Sequence, residues 1–266
     1  MLGAIVGDIV GSVYEWNNIK TKNFEFFQDY GSYTDDTVMT IAVATALKKW
    51  RFSAHNGDIE QLKQILINSM HIFGHAYPDS GYGSRFSLWL KRYERLPYNS
   101  YGNGSAMRVS PVAYVAKSLE EVKLLARATA EVTHNHPEGV KGAQATAVAI
   151  YLARKKLSIA EIKKYIEESY YLTDFSLDDI RPIYKFDVSC QGTVPPALQA
   201  FFESTSFEDA IRNAISIGGD SDTLACITGA VAEAYYGIPE HILAKLNDYL
   251  DPCLRSATND FVQKFF

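Results

Sequence analysis

Two short acidic segments each place a pair of carboxylates and a threonine directly before a run of small and apolar residues. The first is Thr34–Thr37 (TDDT) and the second is Gly218–Thr223 (GGDSDT). Asp and Thr at a helix start accept hydrogen bonds from its free N–H groups, and an acid also suits the positive end of the helix dipole. Capping therefore accounts for one such residue per helix, whereas each segment carries more than it needs.

Paired carboxylates beside an apolar segment need a positive partner. Two acids a few ångströms apart repel each other, and burial of an uncompensated charge costs on the order of several kcal/mol. Neither segment has a lysine or arginine beside it in the sequence, so the partner is a residue from elsewhere in the fold or a bound cation. Carboxylates and threonine hydroxyls are hard oxygen ligands, which suit Mg²⁺, Mn²⁺ or Ca²⁺ better than zinc.

The spacing within the second segment limits where a cation could bind. Residues two apart on a regular helix face nearly opposite sides, so Asp220 and Asp222 can reach one ion only from a turn before the helix begins. Gly218 and Gly219 permit such a turn. These residues favour a metal site over plain capping.

Two further motifs each allow a functional and an ordinary interpretation. The glycines of Gly102–Arg108 (GNGSAMR) would let backbone N–H groups approach a diphosphate closely, although Gly and Asn are also common turn formers. His134 and His136 precede Pro137, an arrangement that could bind a transition metal but is more typical of the turn before a helix. Taken alone, neither motif establishes a site.

The elements that must position these residues are helices almost throughout. Apolar residues recur three and four apart in segments 59–76, 119–134 and 159–172, and strand-like alternation is rare. Serine with an acid three residues later marks several helix starts. These pairs are Ser118 with Glu121, Ser158 with Glu161, and Ser206 with Asp209. The sequence predicts an all-α fold.

The N-terminal segment predicts an unusually close helix pair. Gly3, Gly7 and Gly11 recur every fourth residue, which gives one helix face without side chains and lets a second helix approach. Asp8 interrupts the apolar run, and no basic region leads it, so we expect a buried core helix rather than a signal peptide or a membrane span.

Composition excludes several classes of protein. With 26 Lys and Arg against 31 Asp and Glu, the formal net charge of -5 argues against non-specific nucleic-acid binding. The cysteines, Cys190, Cys226 and Cys253, lie far apart, so neither a zinc cluster nor a disulfide framework is expected, and a reducing cytoplasm fits best. No linker divides the chain, which predicts one domain over residues 1–266, and no run is long enough to span a membrane.

Five motifs in this order resemble the ADP-ribosylglycohydrolase family, which includes the dinitrogen-reductase-activating glycohydrolases. They are Gly7–Glu15 (GDIVGSVYE), Thr34–Thr37 (TDDT), Gly102–Arg108 (GNGSAMR), Thr133–His134 (TH) and Gly218–Thr223 (GGDSDT). Each motif alone is weak, but together they span most of the chain. The resemblance implies an all-α orthogonal multi-helix bundle with two Mg²⁺ or Mn²⁺ ions in a cleft. It also implies cleavage of the bond between the anomeric carbon of ADP-ribose and an acceptor.

The same resemblance implies a role for each matching residue. The catalytic residues would be Glu15, Asp35 and Asp222. The metal ligands would be Thr34, Asp35, Asp36, Asp220, Asp222 and Thr223. The substrate-binding residues would be Gly102, Asn103, Gly104, Ser105, Met107 and His134. Asp8 is expected to support the site from behind the metal ligands, and His136 is a weaker candidate for ligand contact.

Glycosidic chemistry agrees with these roles. Cleavage passes through an oxocarbenium-like state and needs a carboxyl group to handle a proton. Glu15 is expected to manage that proton or to activate water, and the sequence leaves both open. Two other interpretations stay open as well: a dinuclear-metal phosphohydrolase that cuts the diphosphate, and a relative that binds ADP-ribose without turnover. The acceptor could be a protein side chain, a nucleobase or a small molecule.

Overall fold

The computed structural model describes residues 1–266 and consists of helices and connecting loops, with one isolated bridge between Gly102 and Ser189. The fifteen helices are α1 Leu2–Ser12, α2 Asp35–Arg51, α3 Ile59–Ala76, α4 Ser84–Lys91, α5 Gly104–Met107, α6 Val112–Val115, α7 Leu119–Glu131, α8 Pro137–Arg154, α9 Ile159–Ser169, α10 Leu177–Ile180, α11 Cys190–Phe202, α12 Phe207–Ser216, α13 Ser221–Tyr236, α14 Glu240–Leu246 and α15 Pro252–Phe265. The prediction of an all-α multi-helix bundle is confirmed.

The serine-initiated helices begin where the sequence predicts. Ser118, Ser158 and Ser206 each accept a hydrogen bond from the backbone N–H three residues later. Of these three, only α9 has the fully reciprocal arrangement, in which Glu161 also accepts from the Ser158 N–H. In α7 and α12 the acid turns instead to the residue before the serine, and its carboxylate accepts a backbone N–H there.

The close helix pair predicted from the N-terminal glycines is α1 with α13. Residues 3–11 of α1 are all buried, as are residues 221–234 of α13. A Cβ atom at Gly7 would lie 2.0 Å from the carbonyl oxygen of Ala225, and one at Gly11 would lie 2.5 Å from the Cα of Asp222. Only glycine allows this approach, and it brings the end of α1 against the start of α13.

The core extends outward from this helix pair. Helices α8, α11 and α12 pack on α13, while α2 packs on α1 and is flanked by α3 and α15. The buried apolar residues form a single cluster of 77 residues. No helix combines the length and the apolar character needed to cross a bilayer.

Candidate active site

The starts of α2, α5 and α13 meet at one cavity of about 460 Å³. Its acidic lining residues are Glu15, Asp35, Asp36, Asp220 and Asp222. The two acidic segments therefore lie side by side although more than 180 residues separate them in the chain. The hydroxyl of Thr223 donates to Oδ2 of Asp36 at 3.2 Å and links them directly.

The carboxylates are arranged as two overlapping groups. Oxygen atoms of Asp8, Asp36 and Asp222 lie within 4.8 Å of one another, and so do oxygen atoms of Glu15, Asp220 and Asp222. Asp222 belongs to both groups. Each group offers hard oxygen donors that could hold a divalent cation, and Asp222 would contribute to both.

These acids lack the positive protein partner that burial requires. Oδ1 of Asp36 and Oδ1 of Asp222 are buried and accept no hydrogen bond. None of the protein's thirteen ion pairs involves an acid of either group. Buried carboxylates are normally paired or bound to metal, so the residues fit a divalent cation.

The raised pKa values of these acids also indicate that a positive partner is missing. Burial, followed by repulsion from Asp222, raises the pKa of Asp35 and Asp36 well above the usual value for aspartate. The same two effects raise the pKa of Glu15 to about 7. Burial also raises the pKa of Asp220 to about 6, against the lowering effect of hydrogen bonds from Asp222 and Asn103. Without a cation, the cluster therefore holds protons near neutral pH.

The start of α2 is held by Asp8 and by its own cap. The carboxylate of Asp8 accepts from the N–H and hydroxyl of Thr34 at 2.9 and 2.7 Å, and from the N–H and hydroxyl of Thr37 at 3.0 and 2.5 Å. Thr34 in turn accepts from the Asp36 N–H at 3.2 Å and does not line the cavity. Asp8 thus supports the segment, as expected, while one of its oxygens also faces Asp36 and Asp222.

The start of α13 is held by a distant asparagine. Gly218 and Gly219 have φ of 70° and 81°, and the Asp220 side chain makes no capping hydrogen bond. The Asn18 side chain instead makes two hydrogen bonds to the backbone of Gly219. Its Nδ2 donates to the carbonyl at 2.9 Å, and its Oδ1 accepts from the N–H at 2.7 Å. Its Nδ2 also donates to the Tyr14 carbonyl at 2.7 Å, which ties the Glu15 segment to this turn.

The glycine loop lies beside the acids, but not all of it faces the cavity. Gly102, Asn103, Gly104 and Met107 line the cavity, and Nδ2 of Asn103 donates to Oδ2 of Asp220 at 2.7 Å. Ser105 is fully buried, and its hydroxyl donates to the Gly139 carbonyl at 2.7 Å. The structure therefore makes Ser105 an anchor between the loop and α8.

His134 lines the cavity and is held in place from behind. Its Nδ1 shares a hydrogen bond with Oγ1 of Thr133 at 2.7 Å, and the same oxygen accepts from Nη2 of Arg108 at 2.6 Å. Nε2, on the other side of the ring, lies close to Gly102 and Gly104. Burial, and then the charges of Arg108 and Arg85, hold the pKa of His134 well below its usual value, so the ring is neutral.

His136 has the structural role that its position before Pro137 indicates. It is the N-cap of α8, and its Nδ1 accepts from the Glu138 N–H at 3.1 Å. It does not line the cavity.

Sequence reasoning missed several lining residues. Arg108 stands in the GNGSAMR motif without an assigned role, yet it is buried at the cavity wall with its Nε unpartnered. At the mouth, Trp16 follows Glu15 and stacks on Phe186 with ring centroids 5.3 Å apart. The other missed residues are Met39, Gly81, Tyr82, Gly83, Ser84, Arg85, Phe86, Tyr98, Ser100 and Val188. An arginine within a motif was a signal that could have been used; the aromatic residues gave none.

The chain is similar to known proteins over most of its length. The profile of the ADP-ribosylglycohydrolase family matches residues 1–266. The chain is 28% identical to ADP-ribosylhydrolase ARH3 of Mus musculus in an alignment of 320 positions, covering 90% of this chain and 83% of that protein. It is also 28% identical to ARH3 of Homo sapiens, covering 90% and 85%.

The fold has a counterpart among solved structures. A protein described as an ADP-ribosylglycohydrolase-related protein complex superimposes with a TM-score of 0.71 at 21% identity, covering all of this chain and 96% of the other. That likeness shows the fold, and the profile match over the whole chain shows the family. The protein is a member of the ADP-ribosylglycohydrolase family.

Proposed function

We propose that the protein is a metal-dependent hydrolase that cleaves the glycosidic bond between ADP-ribose and an acceptor. The observation that carries this proposal is the pair of carboxylate groups that share Asp222, with unpartnered oxygens on Asp36 and Asp222. Two Mg²⁺ or Mn²⁺ ions are the cofactors that best suit this donor set. Asp35, Asp36, Asp220, Asp222 and Thr223 are the proposed ligands that line the cavity.

The remaining lining suits an ADP-ribosyl group. The N–H of Gly104, at the start of α5, can approach a diphosphate, and Nε2 of the neutral His134 lies beside it. The N–H groups of Gly102 and Asn103 already donate to Ser100 and Val188 and hold the loop in shape. Asn103 connects this loop to Asp220, so a ribose bound at the acids and a diphosphate bound at the loop would belong to one ligand. The volume of about 460 Å³ lies within the range typical of small-ligand sites.

The chemistry needs a proton carrier at the reacting ribose. In the net reaction, water adds to the anomeric carbon, the bond to the acceptor breaks, and the acceptor leaves with a proton. Glu15, whose pKa is raised to about 7, can either accept the proton of water or give one to the acceptor near neutral pH. Bound divalent ions would supply orientation of the ribose hydroxyls and a lowered pKa of bound water.

Product analysis tests the proposal. Defined ADP-ribosylated proteins, nucleobases and small ADP-ribosyl compounds are incubated with the protein and Mg²⁺ or Mn²⁺, and the products are separated by chromatography. We expect free ADP-ribose, produced only with a divalent ion and strongly reduced in Glu15→Gln. AMP with ribose phosphate would identify a phosphohydrolase instead, and binding without product would identify an inactive relative.

The domain organisation and location complete the proposal. We infer one domain over residues 1–266, supported by the single cluster of 77 buried apolar residues. The low cysteine use favours a cytoplasmic enzyme.

A further inference from the structure

A second cavity, of about 710 Å³, lies between α3 and the C-terminal end of α4. Its lining is mainly basic and consists of His71, His75, Leu90, Lys91, Arg92, Tyr93 and Arg95. None of these residues lines the cavity that contains the acidic cluster. Helix α4 borders both cavities, because residues from its first turn line the acidic one.

The cations of this second cavity have no acidic partner. Lys91, Arg92 and Arg95 take part in none of the ion pairs of the protein. Nη1 of Arg95 donates to the side-chain oxygen of Asn68 at 2.9 Å, which fixes the guanidinium without neutralising it. The neighbouring Glu94 is exposed and does not line the cavity. In a chain of net charge -5, this is a local positive cluster that draws anions from solution.

His71 gives the cavity a buried polar floor. The residue is 3% exposed, its ring packs on Trp89 with centroids 4.4 Å apart, and neither ring nitrogen has a hydrogen-bond partner. Burial, followed by the positive charges of Arg95 and His75, lowers the pKa of His71 to about 4. The ring is therefore neutral at pH 7, with one N–H free to donate. Buried polar groups are nearly always paired, so a residue that lines this cavity has an unmet hydrogen-bond donor and acceptor.

We propose that this cavity is a second binding site, separate from the acidic cluster, for a small anion that carries a diphosphate group. Arginine side chains match phosphate oxygens with paired hydrogen bonds, and both Arg92 and Arg95 line this cavity. The buried N–H of His71 offers a further donor, which distinguishes a shaped site from a general surface charge. Both inorganic pyrophosphate and a nucleoside diphosphate present this chemistry.

Nitrogen NMR of the six histidines tests the site directly. The full chain, labelled on its histidine rings and saturated with Mg²⁺, is titrated at pH 7 with inorganic pyrophosphate and, separately, with ADP. His71→Gln assigns the His71 resonance. We expect the ring signals of His71 to shift and saturate, whereas sodium chloride of equal ionic strength leaves them in place.

Variants assign the binding energy to the proposed residues. The double variant Arg92→Gln, Arg95→Gln should weaken binding by about tenfold or more, since a hydrogen bond to a charged group contributes about 1.5–3 kcal/mol. Arg127→Gln is the matched control, because Arg127 is an exposed arginine on α7 that pairs with Glu131. A melting curve of the double variant that matches wild type excludes unfolding as the cause.

The results distinguish a nucleotide from an inorganic phosphate as the ligand, and they also show whether the proposal fails. Tighter binding of ADP assigns the site to nucleotides, and tighter binding of pyrophosphate assigns it to inorganic phosphates. The proposal is overturned if neither compound moves the His71 signals, if chloride moves them equally, or if the double variant binds as wild type does.

Discussion

The two acidic segments reach the same cavity by different means. Thr34–Thr37 is held locally, by the cap of α2 and by four hydrogen bonds to Asp8. Gly218–Thr223 has no side-chain cap, adopts two left-handed glycine conformations, and relies on Asn18 from the other end of the chain. The first half of the site is thus built by its own helix, whereas the second half depends on tertiary contacts. Changes in the two halves should therefore fail in different ways.

The largest expected effect comes from the residue that both carboxylate groups share. Asp222→Asn should lower hydrolysis by about three orders of magnitude, since a metal ion contributes on the order of several kcal/mol to such reactions. The same change removes a repelling charge, so the metal-free protein should unfold at a higher temperature than wild type. Steady-state rates and thermal melting in chelator measure the two effects.

The exposed Asp248→Asn is the control, because Asp248 pairs only with Lys245 at the surface. An Asp222→Asn protein that keeps wild-type affinity for Mn²⁺ by calorimetry would show that the shared carboxylate is not a ligand.

A change of pH should act on both halves of the site together. The raised pKa values of Glu15 and Asp220, about 7 and about 6, mean that protons compete with a cation for these oxygens. Apparent Mn²⁺ affinity should therefore rise by about a thousandfold between pH 5 and pH 8, about a hundredfold from Glu15 and about tenfold from Asp220. Calorimetric titration at each pH measures it.

The stability of the metal-free protein should have the opposite pH dependence. A carboxyl group whose folded-state pKa is raised stabilises the fold while it is protonated and loses that contribution as pH rises through the folded value. Melting temperature in chelator should fall between pH 5 and pH 8, and added Mg²⁺ should restore it most at pH 8. Parallel curves with and without Mg²⁺ would contradict the proposed site.

Removal of the tertiary support should damage the second half alone. Asn18→Ala loses both hydrogen bonds to Gly219 and the link to Tyr14, so we expect about a tenfold lower kcat with little change in KM. Asn17→Ala is the matched control, because Asn17 is the neighbouring asparagine and its side chain makes none of these hydrogen bonds. Equal kinetics for the two variants would show that Asn18 does not position the turn.

The smallest effect should come from the cap of the first half. Thr34→Val loses the bonds to Asp8 and Asp36, which should cost about 1 kcal/mol of folding free energy. Thr34→Ser keeps the hydroxyl and should retain the stability of wild type in urea unfolding. A fall in Mn²⁺ affinity larger than the fall in stability would make Thr34 a metal ligand rather than a cap.

The features that could be predicted from the sequence are those set by residues close together in the chain. The helix starts at Ser118, Ser158 and Ser206 depend on a few neighbouring residues, and so do the acid pairs at two helix N-termini. Such local patterns can be recognised in the sequence. The family resemblance added the pairing of the two segments, which no periodicity contains.

What was missed depends on contacts between distant residues. Ser105 turns to Gly139, Arg108 reaches Thr133, and Asn18 reaches Gly219. Each of these side chains can donate or accept in many directions, and only the packed fold selects one partner. The roles assigned to the site residues stay predictions that the experiments above test.

The contact of α1 with α13 has a consequence for protein synthesis. Helix α1 ends at Ser12, yet the helix that buries it begins at Ser221. During translation, at about 5–20 residues per second, its apolar faces must stay without their final partner until most of the chain has emerged. Over the same interval, Glu15 and Asp8 cannot assemble with Asp222, because Asp222 has not yet been synthesised. A ribosome-bound chain halted before α13 should therefore hold no divalent ion at this site, and its first helix should be a target for chaperones.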